Sequence, residues 1–123
     1  MEPDEGVVAS AVELVAIEEA ERLLAAGASV FTPGERAYAG RKADPARRLA
    51  ARLAAKRAAC RLLGEGIELA DVEVVKGASG PPTLRFAPVA RRRLAALGAE
   101  RALLSLTHER THAAAAVVLL RDR

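Results

Sequence analysis

Residues 48–66 read RLAARLAAKRAACRLLGEG, and this stretch decides the fold. Almost every residue in it favours a helix, and its leucines recur at helical spacing with alanines between them. Asp44 and Pro45 precede the stretch, as expected of an N-cap and a first helical position, and Gly64 predicts the end of the helix. We therefore expect one long helix whose apolar face packs against the rest of the chain.

Three cations on this predicted helix lie four residues apart. Arg48, Arg52 and Lys56 therefore share one stripe along its surface. Such a stripe is either a solvated face of an arginine-rich protein or a binding site for the phosphate groups of an anionic ligand. The spacing alone leaves both interpretations open.

Length and composition limit the class of protein. The chain has 123 residues, which is the size of one domain, and we expect residues 1–6 to form a flexible acidic end and residues 7–123 to form that domain. The formal charge of +3 permits anionic ligands, but with no Trp, one Tyr and two Phe the chain is not expected to bind nucleic acid by stacking. No apolar run approaches the ~20 residues of a membrane span, and no signal peptide is recognisable. Together with the lone Cys60, these features predict a cytoplasmic protein with no membrane partner.

The remaining segments predict helices that alternate with a few antiparallel strands. Thr32, Pro33 and Glu35 resemble a capping box that opens a short helix, and residues 77–82 join two short strands as a hairpin. The last strand is almost uniformly apolar, as expected when both of its faces are covered. The expected class is therefore α+β. We expect strands at 7–14, 72–76, 83–86, 102–107 and 113–120, and helices at 15–26, 33–38, 45–63 and 88–97.

The central helix carries a resemblance to a known family. Its segment Arg52-Leu-Ala-Ala-Lys56-Arg57-Ala, followed by Gly64-Glu-Gly66, resembles the R-F-A-A-K-E-A signature and G-x-G turn of the holo-acyl-carrier-protein synthase (4′-phosphopantetheinyl transferase) family. The resemblance implies a small antiparallel sheet packed on a long helix, assembled as a homotrimer with its ligand site between neighbouring subunits. Further segments follow in the family's order along nearly the whole chain: Val12-Glu13-Leu14, Phe31-Thr32 with Glu35 and Tyr38, residues 71–75, residues 80–82, and Ser105-Leu-Thr-His108-Glu109.

The family's metal ligands are missing. The family transfers the 4′-phosphopantetheine arm of coenzyme A (CoA) to a serine of an acyl carrier protein, and it holds Mg²⁺ with an aspartate and a glutamate whose positions are Ser10 and Arg57 here. A hydroxyl alone is a poor magnesium ligand, and a guanidinium has no acceptor and stays charged. We therefore expect no Mg²⁺ and no metal site. Arg57 either binds a pyrophosphate in place of the ion or pairs with Glu13 or Glu109 in a site that has lost it.

Other positions of the family's ligand site are retained. The resemblance implies that Lys56 contacts a CoA phosphate, and it favours the phosphate-binding interpretation of the stripe, in which Arg52 and Arg48 are further cofactor-binding residues. It also implies that Gly64 and Gly66 keep the tight turn at the ligand. CoA or phosphopantetheine is therefore the expected ligand.

His108 matches the histidine of the family's S-x-S/T-H motif. It is either the acid or base of a reaction or a structural histidine bonded at a strand end. If it is catalytic, we expect Arg57, Ser10 or Glu109 to orient a substrate carbonyl. The catalytic candidates are therefore His108, Arg57, Ser10 and Glu109.

The helix that meets the acidic carrier protein in the family has lost its basic character. The family's arginine is replaced by Ala16, and Glu18, Glu19 and Glu21 follow it. Because like charges repel, we expect an acyl carrier protein to dock weakly on this face.

Three functions are compatible with these features. In the first, the protein keeps a pocket for CoA or a phosphopantetheinyl thioester without Mg²⁺-dependent transfer, and it acts on or binds acyl thioesters in fatty-acid-like or polyketide biosynthesis. In the second, it is a working transferase in which Arg57 replaces the metal. In the third, it is a non-catalytic structural subunit. The sequence leaves open whether the protein is an enzyme and which reaction it would catalyse.

Overall fold

The computed structural model describes residues 6–122, which form an α+β fold, so the expected class is confirmed. Among these residues no helix is both long and apolar enough to cross a membrane. The strands are β1 (Val7–Ala16), β2 (Val72–Val75), β3 (Thr83–Phe86), β4 (Arg101–His108) and β5 (His112–Leu120). The helices are α1 (Ile17–Ala25), α2 (Pro33–Gly40), α3 (Pro45–Leu63) and α4 (Pro88–Ala96), with a 3₁₀ turn at Leu69–Asp71.

Three strands form the main sheet in the order β1-β5-β4, with antiparallel pairing throughout. Alternate residues of β5 are buried, among them Ala115 and Val117, and they face α3 together with Ala11 and Val15 of β1. The other face of the sheet is more exposed. The strands β2 and β3 pair separately as a hairpin.

Helix α3 lies at the centre of the structure, as its sequence predicts. Leu49 and Leu53 are at most 1% exposed, and the alanines beside them are almost completely buried. Alanine side chains let the helix approach β1 and β5 closely, so the core is dense despite the small number of aromatic residues. The thiol of Cys60 is half-buried, and burial raises its pKa to about 11.

Most element boundaries lie within two residues of the sequence expectations, and two differences have a clear physical reason. Strand β1 continues to Ala16, where a helix was expected from Val15, because Val15 is buried and pairs with Ala113 of β5. Asp44 precedes α3 but makes no capping bond; its carboxylate pairs with Arg48 of the first turn instead. The capping box at Thr32 is confirmed.

The expected flexible end, residues 1–6, lies outside the described residues except for Gly6. Gly6 is buried, and its carbonyl accepts a hydrogen bond of 2.7 Å from the backbone N–H of Arg121. Gly6 is therefore part of the described fold.

Candidate functional site

A cationic cavity opens beside the first half of α3. It has a volume of about 180 Å³, and charged or polar side chains come to it from four parts of the fold. Phosphate groups are the natural ligands of such a concentration of cations. Its lining comprises Tyr38 of α2, Arg48, Ala51 and Arg52 of α3, Lys76 and Pro82 of the β2–β3 hairpin, and Leu106 and His108 of β4.

Arg52 is the buried charge of this cavity. Its side chain is 4% exposed, and its guanidinium carbon lies 4.1 Å from the centre of the Tyr38 ring. The Nε atom has no hydrogen-bond partner, and Nη1 makes only a long bond of 3.4 Å to the carbonyl of Arg48. Burial lowers the pKa of Arg52, so the cavity wall carries a buried guanidinium whose hydrogen-bond donors are only partly used.

Lys56 does not line the cavity, although it belongs to the same stripe of cations as Arg48 and Arg52. Its side chain is completely buried, and Nζ donates a hydrogen bond of 2.6 Å to Oε1 of Glu35, which is also completely buried. The cavity lining does not include Lys56. The ammonium group therefore already has an anionic partner, and a direct contact of Lys56 with a CoA phosphate stays a prediction.

Arg57 forms a bidentate ion pair with Glu19 of α1. Its two terminal nitrogens donate to the two carboxylate oxygens at 3.1 and 2.5 Å. These hydrogen bonds raise the pKa of Arg57 and lower the pKa of Glu19. The expectation that Arg57 pairs with Glu13 or Glu109 is wrong: Glu13 bonds to Arg61 at 2.5 Å, and Glu109 bonds within its own turn.

Ser10 lies in β1, and it is exposed opposite Val118 on the face of the sheet that α3 does not cover. Within residues 6–122 no hydrogen bond joins it to Arg57. These two positions offer a neutral hydroxyl and a guanidinium already bound to a carboxylate, and neither group is suited to hold Mg²⁺. The residues present therefore do not fit the family's metal.

His108 and Glu109 have different surroundings at the end of β4. The His108 side chain is exposed and lines the cationic cavity, so it is available to a ligand. Glu109 instead closes the β4–β5 turn, accepting hydrogen bonds from the hydroxyl and backbone N–H of Thr111 and from the backbone N–H of His112. The bond from the Thr111 hydroxyl, followed by those from the two backbone N–H groups, lowers the pKa of Glu109 to about 2. Glu109 therefore orients the turn, and a substrate contact by it stays a prediction.

Gly64 and Gly66 form a turn at the opposite end of α3 from the cavity. Both have positive φ angles, +94° and +89°, which favour glycine. Arg93 of α4 donates to the carbonyl of Leu63 at 2.7 Å, and a Cβ on Gly64 would lie 3.1 Å from its Nη1. The turn is about 24 Å from Arg48 along the helix, at roughly 1.5 Å per residue, so it does not line the same cavity of one chain.

Tyr38 and Lys76 were not identified as site residues from the sequence. Tyr38 was noted only as part of the resemblance, although an aromatic ring at the end of a short helix beside a basic loop is a usable signal. The Lys76 side chain is held in place by a hydrogen bond of 2.6 Å from its Nζ to the carbonyl of Gly80. The sequence predicts the hairpin, but it does not indicate this bond or the position of Lys76 at the cavity.

The chain is similar to curated and solved proteins of one family. A holo-[acyl-carrier-protein] synthase of Anaeromyxobacter sp. (strain K) is 46% identical over 102 residues, covering 81% of this chain and 77% of the relative. The structure of Mycobacterium tuberculosis acyl carrier protein synthase matches with a TM-score of 0.72 and 34% identity over 93% of this chain and 97% of that one. A Helicobacter pylori holo-[acyl-carrier-protein] synthase, solved in complex with coenzyme A, matches in fold with a TM-score of 0.75 and 18% identity over 90% of this chain and 99% of that one. No family model matches the chain.

We predict that Arg57→Glu creates a divalent-cation site with Glu19. The new carboxylate would adjoin the Glu19 carboxylate, and two carboxylates in contact favour a shared cation. Magnesium at about ten times its dissociation constant should then raise the melting temperature by about 4 °C. Wild type and the double variant Arg57→Glu/Glu19→Gln are the matched controls and should not respond. If the melting temperature responded to magnesium only after Ser10→Asp was added, Ser10 would have to lie beside residue 57, which contradicts its position in the structure.

We predict that Glu109→Gln lowers the melting temperature at pH 7. The pKa of Glu109 is depressed from 4.5 to about 2, so its stabilising contribution is complete above pH 4.5 and is lost as the pH falls towards 2. The difference between variant and wild type should therefore shrink over this range when thermal unfolding is followed by circular dichroism. Glu21→Gln, at an exposed position of α1, is the control. A difference that persists unchanged at pH 2 would refute the assignment.

Proposed function

Because the chain belongs to the holo-[acyl-carrier-protein] synthase family, we propose that it binds CoA or a phosphopantetheinyl thioester in the cationic cavity. We propose further that it lacks the family's Mg²⁺-dependent transfer and acts on or binds acyl thioesters in fatty-acid-like or polyketide biosynthesis. The observation that carries this proposal is the buried, incompletely bonded guanidinium of Arg52 on the cavity wall.

The cavity suits the charged end of CoA. Arg48, Arg52 and Lys76 supply three cations around one space, and the Tyr38 ring forms part of the wall. Guanidinium groups bind phosphate oxygens with two parallel hydrogen bonds, and these bonds are stronger than bonds between neutral groups. The CoA-bound structure of the Helicobacter pylori relative supports the same ligand class.

The loss of magnesium chemistry is supported by the state of Arg57. A guanidinium offers Mg²⁺ no acceptor atom, and the bidentate pair with Arg57 already occupies both carboxylate oxygens of Glu19. Since Glu19 already neutralises Arg57, a pyrophosphate would have to displace this carboxylate to reach the guanidinium. The geometry therefore favours a cavity without metal over a transferase that uses Arg57 as a substitute ion.

If the protein is catalytic, His108 is the group best placed to move a proton. Its imidazole is exposed at the cavity, and histidine is the usual acid or base near neutral pH. In this role it would take a proton from, or give one to, an acyl thioester whose phosphates lie on Arg48 and Arg52.

We propose a homotrimer. The outer face of the main sheet presents Val12, Leu14 and Leu103, which are 64%, 65% and 51% exposed. Exposed apolar side chains that share one sheet face favour a protein partner.

An acyl carrier protein remains a candidate partner, with weak docking on α1. Glu18 and Glu21 are exposed there, and Glu18 has an exposed partner in Arg22. The acidic surface expected of a carrier protein would meet carboxylates at this face.

We predict that the protein binds CoA with and without Mg²⁺ and does not modify an apo carrier protein. Calorimetry should show equal CoA affinity in both buffers, and the mass of the carrier should stay unchanged. Arg48→Met should weaken CoA binding about tenfold, because hydrogen bonds to charged groups contribute about 1.5–3 kcal/mol. Arg22→Met removes an exposed arginine elsewhere and is the matched control.

The outcomes of this assay separate the three functions. Mg²⁺-dependent gain of the phosphopantetheine arm would refute the metal-free cavity, and gain without metal would favour Arg57 as the substitute ion. No binding of CoA at all would favour the structural subunit.

We predict that Leu14→Glu converts the trimer to monomers, because a charge buried in an apolar interface lacks a partner. Sedimentation velocity measures the change directly. Leu97→Glu alters another exposed leucine, 40% exposed against 65% for Leu14, that follows α4 rather than lying on the sheet, and it should leave the trimer intact. A monomeric wild type would overturn the proposed assembly.

A further inference from the structure

We propose that Glu35 and Lys56 form a buried positioning pair that holds the walls of the cationic cavity in place. In this proposal Lys56 binds no ligand and acts through Glu35. The inference rests on the proposed CoA-binding function for its affinity measurements, and it also has a measurement that needs no CoA.

Glu35 connects three elements through its carboxylate. Oε1 accepts hydrogen bonds from Nζ of Lys56 in α3 at 2.6 Å and from the backbone N–H of Thr32 before α2 at 2.9 Å. Oε2 accepts from the backbone N–H of Val74 in β2 at 2.7 Å. Since both Glu35 and Lys56 are completely buried, water does not replace these bonds when one is lost.

Each of the three connected elements carries a cavity side chain a short distance from its bond to Glu35. Tyr38 follows Glu35 by three residues on α2, and Arg52 precedes Lys56 by four on α3. Lys76 follows Val74 by two residues and lies directly after the end of β2. The stacking of Arg52 on Tyr38 is therefore set by the distance between α2 and α3, which the pair fixes.

The charges support the same role. Glu35 carries one negative charge, and Lys56 and Arg52 each carry one positive charge, so the buried group retains one positive charge. That charge lies on Arg52, which lines the cavity and whose Nε has no hydrogen-bond partner. Because Lys56 takes the negative charge of Glu35, Arg52 is left for an external anion.

The experiment is a double-mutant cycle with Glu35→Gln, Lys56→Met and the combined variant, in which calorimetry measures CoA binding. Each single change leaves a buried partner unpaired, so each should weaken binding about tenfold or more. The CoA affinity of the combined variant should be no lower than that of the single variant with the lower affinity, because both changes disrupt the same ion pair. The exposed pair Arg22–Glu18 gives the matched control cycle, with Arg22→Met and Glu18→Gln, and it should not change CoA affinity.

If Lys56 contacts the ligand directly, the outcome differs. Lys56→Met would then weaken binding, Glu35→Gln would leave it unchanged or strengthen it by freeing the ammonium group, and the proposal would be overturned. Multiplying losses in the combined variant would overturn it as well.

The measurement without CoA is the intrinsic fluorescence of Tyr38, which is the only tyrosine in a chain that has no tryptophan. Loss of the pair should change the intensity and anisotropy of this emission in the free protein, since Arg52 moves relative to the ring. Unchanged emission in folded Glu35→Gln and Lys56→Met variants would refute the positioning role even if wild type fails to bind CoA. Should a single variant fail to fold by circular dichroism, the combined variant, in which neither position 35 nor position 56 carries a charge that has lost its partner, gives the same readout.

Discussion

The close packing of α3 against the main sheet is the constraint on which the rest of the structure depends. Its apolar residues are alanines and leucines, and full burial of each leucine contributes about 1.5–3 kcal/mol. The alanines, such as Ala54 and Ala55, bury little area each but let the helix lie near the sheet. Because the elements around α3 cover it so widely, its Arg52 and Lys56 side chains are buried too. They must therefore find a partner or face a cavity.

The two buried cations differ in how their charge is accommodated. Lys56 is compact, and its ammonium group is neutralised by the carboxylate of Glu35. Arg52 presents a flat guanidinium that stacks on Tyr38 and leaves Nε unpartnered. A buried ion pair adds little net stability, because desolvation offsets the attraction, but loss of one member is costly. One stripe of the sequence thus supplies a fixed internal pair and a cation that favours an anionic ligand.

Most helices and strands were predictable because their ends carry local signals in the sequence. Pro45, Gly64 and the Thr32 capping box are recognisable without knowledge of the fold, and all three delimit helices as expected. The end of β1 was misplaced because the burial of Val15 depends on β5, which is distant in the sequence.

The site was predictable only in part. Arg48, Arg52 and His108 meet in one cavity, but the stripe could not reveal that Glu35 takes Lys56, since those residues are 21 apart. The partner of Arg57, 38 residues away, was missed for the same reason.

Electrostatics explains why an arginine at position 57 is compatible with its neighbours. Arg57 and Arg61 lie one turn apart on α3, and each binds a glutamate of the β1–α1 segment, Glu19 and Glu13. Each glutamate therefore has its own cation, so little uncompensated negative charge is left there to attract a metal ion. A neutral residue at position 57 would leave Glu19 without a partner, whereas arginine neutralises it and joins α1 to α3. The positive charge of Arg57 thus compensates the negative charge of Glu19. A return to metal binding would require both removal of the guanidinium and release of Glu19.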